Sequence, residues 1–163
     1  MKLPGIALRA LARLAAELPA RRAPDVAIGG TADPYLLRWW VIPRNRLFNI
    51  YLHVFFRSDD DRALHDHPWV NLSILVEGAY YEETIRAGGV HVWTRREAGD
   101  FKLRPPRAAH RVELVDGQPC TTLFLTGPNL RSWGFHCPRG WVHWRAFTNP
   151  ADGGRTVGKG CDQ

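Results

Sequence analysis

The stretch HDHPWVNLSILVEG, which runs from His65 to Gly78, places two histidines at alternate positions directly before an apolar run typical of a β-strand. Alternate side chains of an extended chain lie on the same face, so both imidazoles can point towards one place. The shared face would carry His65, His67, Trp69, Asn71, Ser73 and Leu75. Because imidazole nitrogens bind metal ions at about 2 Å, this spacing predicts part of a metal site. A third ligand must then come from elsewhere in the chain.

We predict the third ligand in the segment AGDFKLRPPRAAHRVEL, which spans residues 98–114 and contains His110. A Gly-Asp turn and a bend with two prolines flank a short strand in this segment. Such a turn and bend would bring the ring of His110 back across a barrel, towards the first two histidines.

The two segments together resemble the two motifs of the cupin superfamily. These motifs are written G(x)5HxH(x)3,4E(x)6G and G(x)5PxG(x)2H(x)3N. The matching residues are His65, His67, Gly78, Gly99, Pro105 and His110. The departures are Asp59, Asn71, Arg107 and Leu114. The resemblance covers residues 48–126, and the stretches DDDRALHDHPW and WGFHCPRGWVHWRAF also look like those of small bacterial cupins.

The resemblance implies an all-β fold, the cupin double-stranded β-helix or jelly-roll barrel. It also implies one divalent metal ion held by His65, His67 and His110. Asn71 stands where the family has an acidic ligand, so the ion would keep nearly its full dipositive charge and would favour a small anionic substrate. Asn71 itself is expected to be a weak ligand or to donate a hydrogen bond to substrate. Cupin-type dioxygenases that oxidise thiols are similar in using three histidines without the acidic ligand.

The metal and the reaction stay open at this point. Iron(II) with open positions allows substrate and O₂ to bind side by side, as in non-haem oxygenases. Zinc, nickel or manganese would act as a Lewis acid instead. The leading hypothesis is an iron(II) dioxygenase. The alternatives are a metal-dependent isomerase or lyase, and a non-catalytic cupin module that binds a sugar or an acid.

Further candidate residues come from the flanking segments. Residues 49–57 alternate between polar-aromatic and aliphatic side chains, as expected of a strand that lines a wet cavity. Tyr51, His53 and Arg57 are therefore candidates for substrate contact or proton transfer, unless this face meets solvent or another subunit. Arg107 is a candidate clamp for an anionic group or an outward surface arginine. Trp69 is a candidate pocket wall or a core residue.

Four other polar residues have less specific patterns. Asp66 alternates with the predicted ligands and points away from them, so it is solvated or orients a ligand ring through its free N–H. His136, Cys137 and His143 lie in GFHCPRGWVHW, where their spacing matches no ligand pattern. Core packing and strand pairing are the favoured interpretation of these three residues, and their role stays open.

The chain divides into three predicted parts. Residues 1–34 form an N-terminal helix and a linker arm, residues 35–148 form the barrel, and residues 149–163 form a flexible tail. The apolar face of the helix is predicted at Leu3, Ile6, Ala10, Leu11, Leu14 and Leu18, which recur at helical spacing. Strands are predicted at 36–42, 48–57, 70–77, 79–85, 90–95, 101–103, 110–114, 120–126, 132–136 and 141–147. The helix and the Trp-rich strands offer surface for a homodimer.

Composition narrows the function classes. A chain of 163 residues is long enough for one domain with its own core. The net charge of +6 comes from basic residues spread along the chain, which suits small anions and disfavours a nucleic-acid groove. Three cysteines without a CxxC pair argue against a disulfide framework and a thiolate zinc site. No signal peptide or membrane span is evident, so we expect a cytoplasmic protein.

Overall fold

Two antiparallel six-stranded sheets form the body of the computed structural model, which describes residues 1–30, 32–59 and 63–162. The strands are β1 (Val26–Ile28), β2 (Leu36–Trp40), β3 (Asn49–Phe55), β4 (Leu64–His65), β5 (Asn71–Glu77), β6 (Ala79–Arg86), β7 (Val90–Glu97), β8 (Phe101–Arg104), β9 (His110–Leu114), β10 (Cys120–Thr126), β11 (Gly134–Cys137) and β12 (Gly140–His143). The first sheet has the order β1-β2-β3-β10-β5-β8, and the second has the order β12-β11-β4-β9-β6-β7.

The interior of the sandwich is built from both sheets. One buried cluster contains Leu75, Tyr80, Val112, Leu114 and Cys120. Leu75 and Cys120 belong to the first sheet, and the other members belong to the second. Burying a side chain such as that of Leu75 stabilises the fold by about 1.5–3 kcal/mol. The predicted all-β jelly-roll architecture is therefore confirmed.

Helix α1 (Gly5–Arg21) covers the outer face of the first sheet. Its one buried residue, Ala15, packs in a cluster with Leu52 and Leu123 of that sheet, and Leu11 and Leu18 pack against the same cluster. Ile6, which we assigned to the apolar face, is instead 74% exposed. The described part of the chain has no helix with the length and apolarity that crossing a membrane requires.

The chain changes sheets directly after the two predicted ligand histidines. β4 ends at His65 in the second sheet, whereas β5 begins at Asn71 in the first. Residues 65–75 are therefore not one continuous strand, although His65, His67, Trp69 and Ser73 of the predicted face still line one cavity. The strand is interrupted between His65 and Asn71 because Pro68 has no backbone N–H to donate to a strand ladder. The alternation is regular again within β5, where Asn71 and Leu75 are buried.

Two segments differ from the predicted elements. The predicted strand at 141–147 is half helical, because β12 ends at His143 and the short helix α2 (Trp144–Phe147) follows. The Nδ1 atom of His143 caps this helix by accepting a hydrogen bond from the backbone N–H of Arg145 at 3.2 Å. In addition, part of the predicted linker arm forms β1, which pairs with β2.

The C-terminal segment, expected to be flexible, has several contacts with the barrel. Cys137 and Cys161 form a disulfide, so the expectation of no disulfide is wrong. The backbone N–H groups of Gly158 and Gly160 donate to the carbonyl of Phe147 at 3.0 and 3.1 Å. The two cysteines are 24 residues apart, and only the return of the tail to β11 brings them together.

Candidate metal centre

Three imidazole rings meet where β4 pairs with β9. His65 and His110 are register partners in these strands, and their ring centroids are 4.8 Å apart. His67 follows β4 by two residues, and its Nε2 atom lies 3.0 Å from Nε2 of His110. One ring nitrogen from each histidine lies within 4.8 Å of the other two. The predicted set His65, His67 and His110 thus forms a group that could bind a metal ion.

The protonation of these rings suits a metal ion. Burial lowers the pKa of His65, although Asp59 and Asp66 oppose it. Burial also holds the pKa values of His67 and His110 well below the ordinary value, and the charge of Arg104 adds to the effect. Neutral imidazole is the form that binds metals, because protonation would occupy the lone pair. Three neutral rings whose nitrogens converge, that of His110 buried and those of His65 and His67 half-buried, fit a divalent transition metal.

Two carboxylates face the outer nitrogens of these rings. Oδ2 of Asp59 lies 3.8 Å from Nδ1 of His65, and Oε1 of Glu82 lies 3.8 Å from Nδ1 of His110. These contacts are electrostatic, since they exceed hydrogen-bond length. A carboxylate behind a histidine orients the ring and makes the inner nitrogen a better ligand. Neither carboxylate is hydrogen-bonded to its ring, and Nδ1 of His110 is buried with no hydrogen-bond partner among the described residues, so Asp59 and Glu82 are candidate positioning residues only.

Glu82 is buried and shared between two arginines. Arg104 donates from Nε to Oε1 at 2.8 Å, and its Nη2 makes a second, shorter contact with the same oxygen. Arg96 donates from Nε and Nη2 to Oε2 at 3.0 and 2.9 Å. Burial would raise the pKa of Glu82, but the two guanidinium groups outweigh it and the pKa is lowered. The carboxylate is thus neutralised locally, and it leaves little negative charge for the three-histidine group.

Asp66, between the two ligand histidines in sequence, anchors the segment that carries them. Its carboxylate accepts hydrogen bonds from the backbone N–H of Gly134 at 2.9 Å and from the indole N–H of Trp141 at 3.1 Å. It also pairs with Arg131 at 2.9 Å and lies 3.4 Å from Nε2 of His136. Asp66 is 1% exposed, so it is neither solvated nor directed at a ligand ring. It ties the histidine segment to the β11–β12 hairpin.

The three histidines line a cavity of about 310 Å³ between the sheets. Its apolar wall includes Leu36, Phe55, Trp69, Phe124, Trp133 and Phe135. The C-terminal segment contributes further wall, with Thr148, Gly154, Arg155, Thr156 and Val157. A mainly apolar cavity of this size with a few polar groups suits one small organic ligand.

His53 and Trp69 line this cavity. The Trp69 ring stacks on His67, with centroids 6.3 Å apart and an interplanar angle of 14°. His53 is buried and accepts a hydrogen bond from Nε of Arg38 at 2.8 Å. Arg38 also lines the cavity, and our sequence reasoning missed it. The available signal was an arginine in the middle of the otherwise apolar strand LLRWW.

Three other predicted substrate contacts lie outside the cavity wall. Tyr51 is buried beside His53, with ring centroids 5.9 Å apart. Arg57 pairs with Asp33 at 3.4 Å. Arg107 is exposed on the bend between β8 and β9.

Asn71 is also outside the cavity wall. It is 1% exposed and pairs in register with Thr126 of β10 and Arg104 of β8. Both polar atoms of its carboxamide have no hydrogen-bond partner among the described residues. Its role as a weak ligand or substrate contact remains a prediction.

Comparison with known proteins identifies the fold. No family model matches the chain, and no curated protein does. A conserved protein with a double-stranded β-helix domain from Klebsiella pneumoniae aligns with a TM-score of 0.51 at 14% identity, over 65% of this chain and 88% of that one. A putative mannose-6-phosphate isomerase from Ralstonia eutropha aligns with a TM-score of 0.50 at 21% identity, over 64% and 92%.

A third structure is an oxalate decarboxylase from Bacillus subtilis with Mn(II) centres. It aligns with a TM-score of 0.50 at 16% identity over 71% of this chain, and the match spans 30% of the decarboxylase. Together with the strand order, these likenesses define the fold. The chain has the double-stranded β-helix fold that its two motifs predicted.

Proposed function

We propose that this cupin is a metal-dependent enzyme that acts on a small anionic molecule, with an iron(II) dioxygenase as the leading activity. The observation that carries the proposal is the convergence of three neutral imidazoles, one buried and two half-buried, on one cavity. Because no carboxylate belongs to the candidate ligand set, a bound divalent ion would keep most of its charge. That charge favours an anionic substrate.

His65, His67 and His110 would hold the ion, with Asp59 and Glu82 keeping the outer nitrogens of two of the rings oriented. Bound iron(II) would supply redox chemistry and open coordination positions for substrate and O₂. Zinc, nickel and manganese are the alternatives. The aromatic wall around Trp69 and Phe124 would exclude water from the substrate.

The hydrogen bonds that Asp59 and His53 already make in the cavity wall favour oxidation. Isomerases and lyases generally need a protein group that takes up or gives a proton. Asp59 accepts hydrogen bonds from the Tyr35 hydroxyl and, at 2.7 Å, from the backbone N–H of Val112. The Nε2 lone pair of His53 is committed to Arg38. An oxidation by O₂ at a metal ion would need fewer protein groups that take up or give a proton.

A metal-dependent isomerase or lyase is the second candidate. The observation in its favour is His53, a neutral imidazole in the cavity wall. It would become an acid-base catalyst if substrate displaced the Arg38 contact. A non-catalytic module that binds a small ligand is the third reading.

The first test is metal content. The full chain, purified without chelator, is expected to carry about one metal ion per chain, and His65→Ala and His110→Ala are expected to lose it. His91→Ala is the matched control, because His91 is half exposed and pairs with Glu83 away from the cavity. Metal-free wild-type protein, or metal retained in both site variants, would contradict the proposal.

The second test separates the three activities. Oxygen uptake is measured with the iron-loaded protein and a panel of small carboxylic acids and thiols. Substrate-dependent oxygen uptake supports the dioxygenase. Product formation under argon contradicts it and supports the isomerase or lyase. Saturable binding without product under either atmosphere leaves the binding module.

A further inference from the structure

A second charged group shares the cavity with the three histidines. Arg38 is the central residue of β2 and the register partner of His53 in β3. Its guanidinium carbon lies 5.0 Å from the centroid of the Tyr51 ring. The hydrogen bond to His53 and the ring of Tyr51 hold the guanidinium in the cavity wall.

The charge of Arg38 has no counter-charge. No aspartate or glutamate in the described ranges forms an ion pair with it. Burial lowers the pKa of Arg38, but an arginine side chain stays protonated in proteins. Burial and the positive charge of Arg38 hold the pKa of His53 well below its ordinary value. His53 is therefore a neutral acceptor that orients the guanidinium without cancelling its charge.

Other arginines near the site are different in this respect. Arg104 and Arg96 both bind Glu82, and Arg131 binds Asp66. A buried cation without a partner is costly unless a ligand compensates it. Arg155 of the C-terminal segment also lines the cavity, and no ion pair is seen for it among the described residues, but its side chain is exposed to solvent. Arg38 is thus the half-buried cavity-wall arginine whose charge the fold leaves available to a ligand.

The direction of the hydrogen bonds defines the group that Arg38 can bind. Its Nε–H is already donated to His53, which leaves the two terminal amino groups as a planar fork. Two parallel N–H donors match the two oxygens of a carboxylate. A single fork in a mostly apolar cavity suits this planar monoanion better than a phosphate, which presents more charge and more oxygens.

Phe124 connects this fork with the three histidines. Its ring centroid lies 5.4 Å from that of His53 and 5.4 Å from that of His67. A ligand that contacts both groups must therefore pass over an aromatic surface, which favours a hydrocarbon segment between its two ends.

We propose that Arg38 anchors the carboxylate of a small carboxylic acid whose hydrocarbon part packs on Phe124 and whose other end reaches the three histidines. This inference rests on the proposed function and narrows its anionic substrate to carboxylic acids. Arg38 is then a specificity-determining residue.

The direct test compares butyrate with butyramide, which has nearly the same shape and no charge. Binding to the full-length protein is measured by calorimetry at constant ionic strength. We expect butyrate to bind at least tenfold more tightly than butyramide. Equal binding of the two, or no binding of butyrate, would overturn the proposal. This comparison needs no variant, so it does not depend on the folding of one.

Variants then test which residue is responsible for the preference for butyrate over butyramide. Arg38→Gln is expected to lower butyrate affinity at least tenfold and to abolish the preference over butyramide, with an unchanged circular dichroism spectrum. Arg38→Lys keeps the charge without the fork and is expected to retain part of the preference. Arg13→Gln, at an exposed arginine of helix α1 that does not line the cavity, is expected to bind like wild type. If Arg38→Gln binds butyrate like wild type, another group binds the carboxylate and the proposal is wrong.

The metal content of each preparation separates this inference from the proposed function. Protein that discriminates butyrate from butyramide but holds no metal would retain the Arg38 anchor and contradict the metal-dependent activity. Protein that holds one metal ion and does not discriminate would contradict the anchor alone. Phosphate that competes with butyrate more strongly than acetate does would also overturn the carboxylate assignment.

Discussion

At the scale of single residues, the charged side chains of the interior differ in whether an opposite charge lies beside them. Glu82 is compensated by two arginines, whereas Arg38 has no acidic partner among the described residues. Paired charges should therefore affect stability, and the unpaired one should affect ligand binding. Whether a buried charge is paired therefore helps to distinguish residues that stabilise the fold from residues that bind a ligand.

Replacing Glu82 by glutamine would leave Arg104, which is 2% exposed, without its counter-charge. Breaking a buried ion pair costs about 3–5 kcal/mol, so we expect the free energy of unfolding in urea to fall by about that amount. Glu17→Gln is the control, because Glu17 pairs with Arg21 on the helix surface, where pairs contribute about 0–1 kcal/mol. Equal losses in the two variants would refute this view of Glu82.

Cys120 is expected to be unreactive in the native protein. It is 1% exposed, and burial raises the pKa of its thiol to about 12. At pH 8 only about one thiol in 10⁴ is then ionised, and the thiolate is the reactive form. A colorimetric thiol assay should find no thiol in the native protein, one after denaturation, and three after denaturation with reduction. One reactive thiol in the native protein would contradict this prediction.

At the scale of elements, the crossing between β4 and β5 is the segment on which the candidate site depends. It carries His67 and is held by the buried carboxylate of Asp66. We expect Asp66→Asn to lower metal affinity about tenfold, the lower end of what supporting residues contribute, because the charge that fixes Arg131 is lost. Metal titration against a chelator measures the change. Asp162→Asn, at an exposed position, should have no effect, and an unchanged affinity in Asp66→Asn would reject the anchoring role.

The C-terminal segment is the element whose position depends on a covalent bond. A disulfide across 24 residues is expected to stabilise the fold by about 3 kcal/mol by restricting the unfolded chain. Cys161→Ser should therefore unfold at lower urea concentration and expose the tail to limited proteolysis. The internal control is reductant, which should destabilise the wild type and leave Cys161→Ser unchanged. A wild type insensitive to reductant would contradict the prediction.

At the scale of the whole molecule, the homodimer remains a prediction. Large apolar side chains such as Trp93 and Leu103 are 47% and 58% exposed on the outer faces of the sheets. Exposed apolar surface of this kind is often covered by a second subunit. Sedimentation equilibrium should then give about twice the chain mass of 18.5 kDa. A mass of one chain across the micromolar range would contradict it.

Local sequence patterns predicted the fold and the candidate ligands well. The strands His110–Leu114 and Cys120–Thr126 have their predicted bounds, since turn residues flank each of these short segments. The His-x-His spacing and the downstream His110 were visible for the same reason, because each lies in a short motif. Glu82 and Arg38 were missed, since only the folded sheets bring Glu82 beside His110 and Arg38 beside His53.

The sequence by itself determined the all-β fold and which three histidines would meet, because strand periodicity and motif spacing are local properties. The tertiary structure alone decided which charges are compensated, which arginine faces the cavity, and that Cys137 bonds to Cys161. The physical reason is that compensation and burial depend on distances between residues far apart in the chain. Those distances exist only after the two sheets have closed on each other.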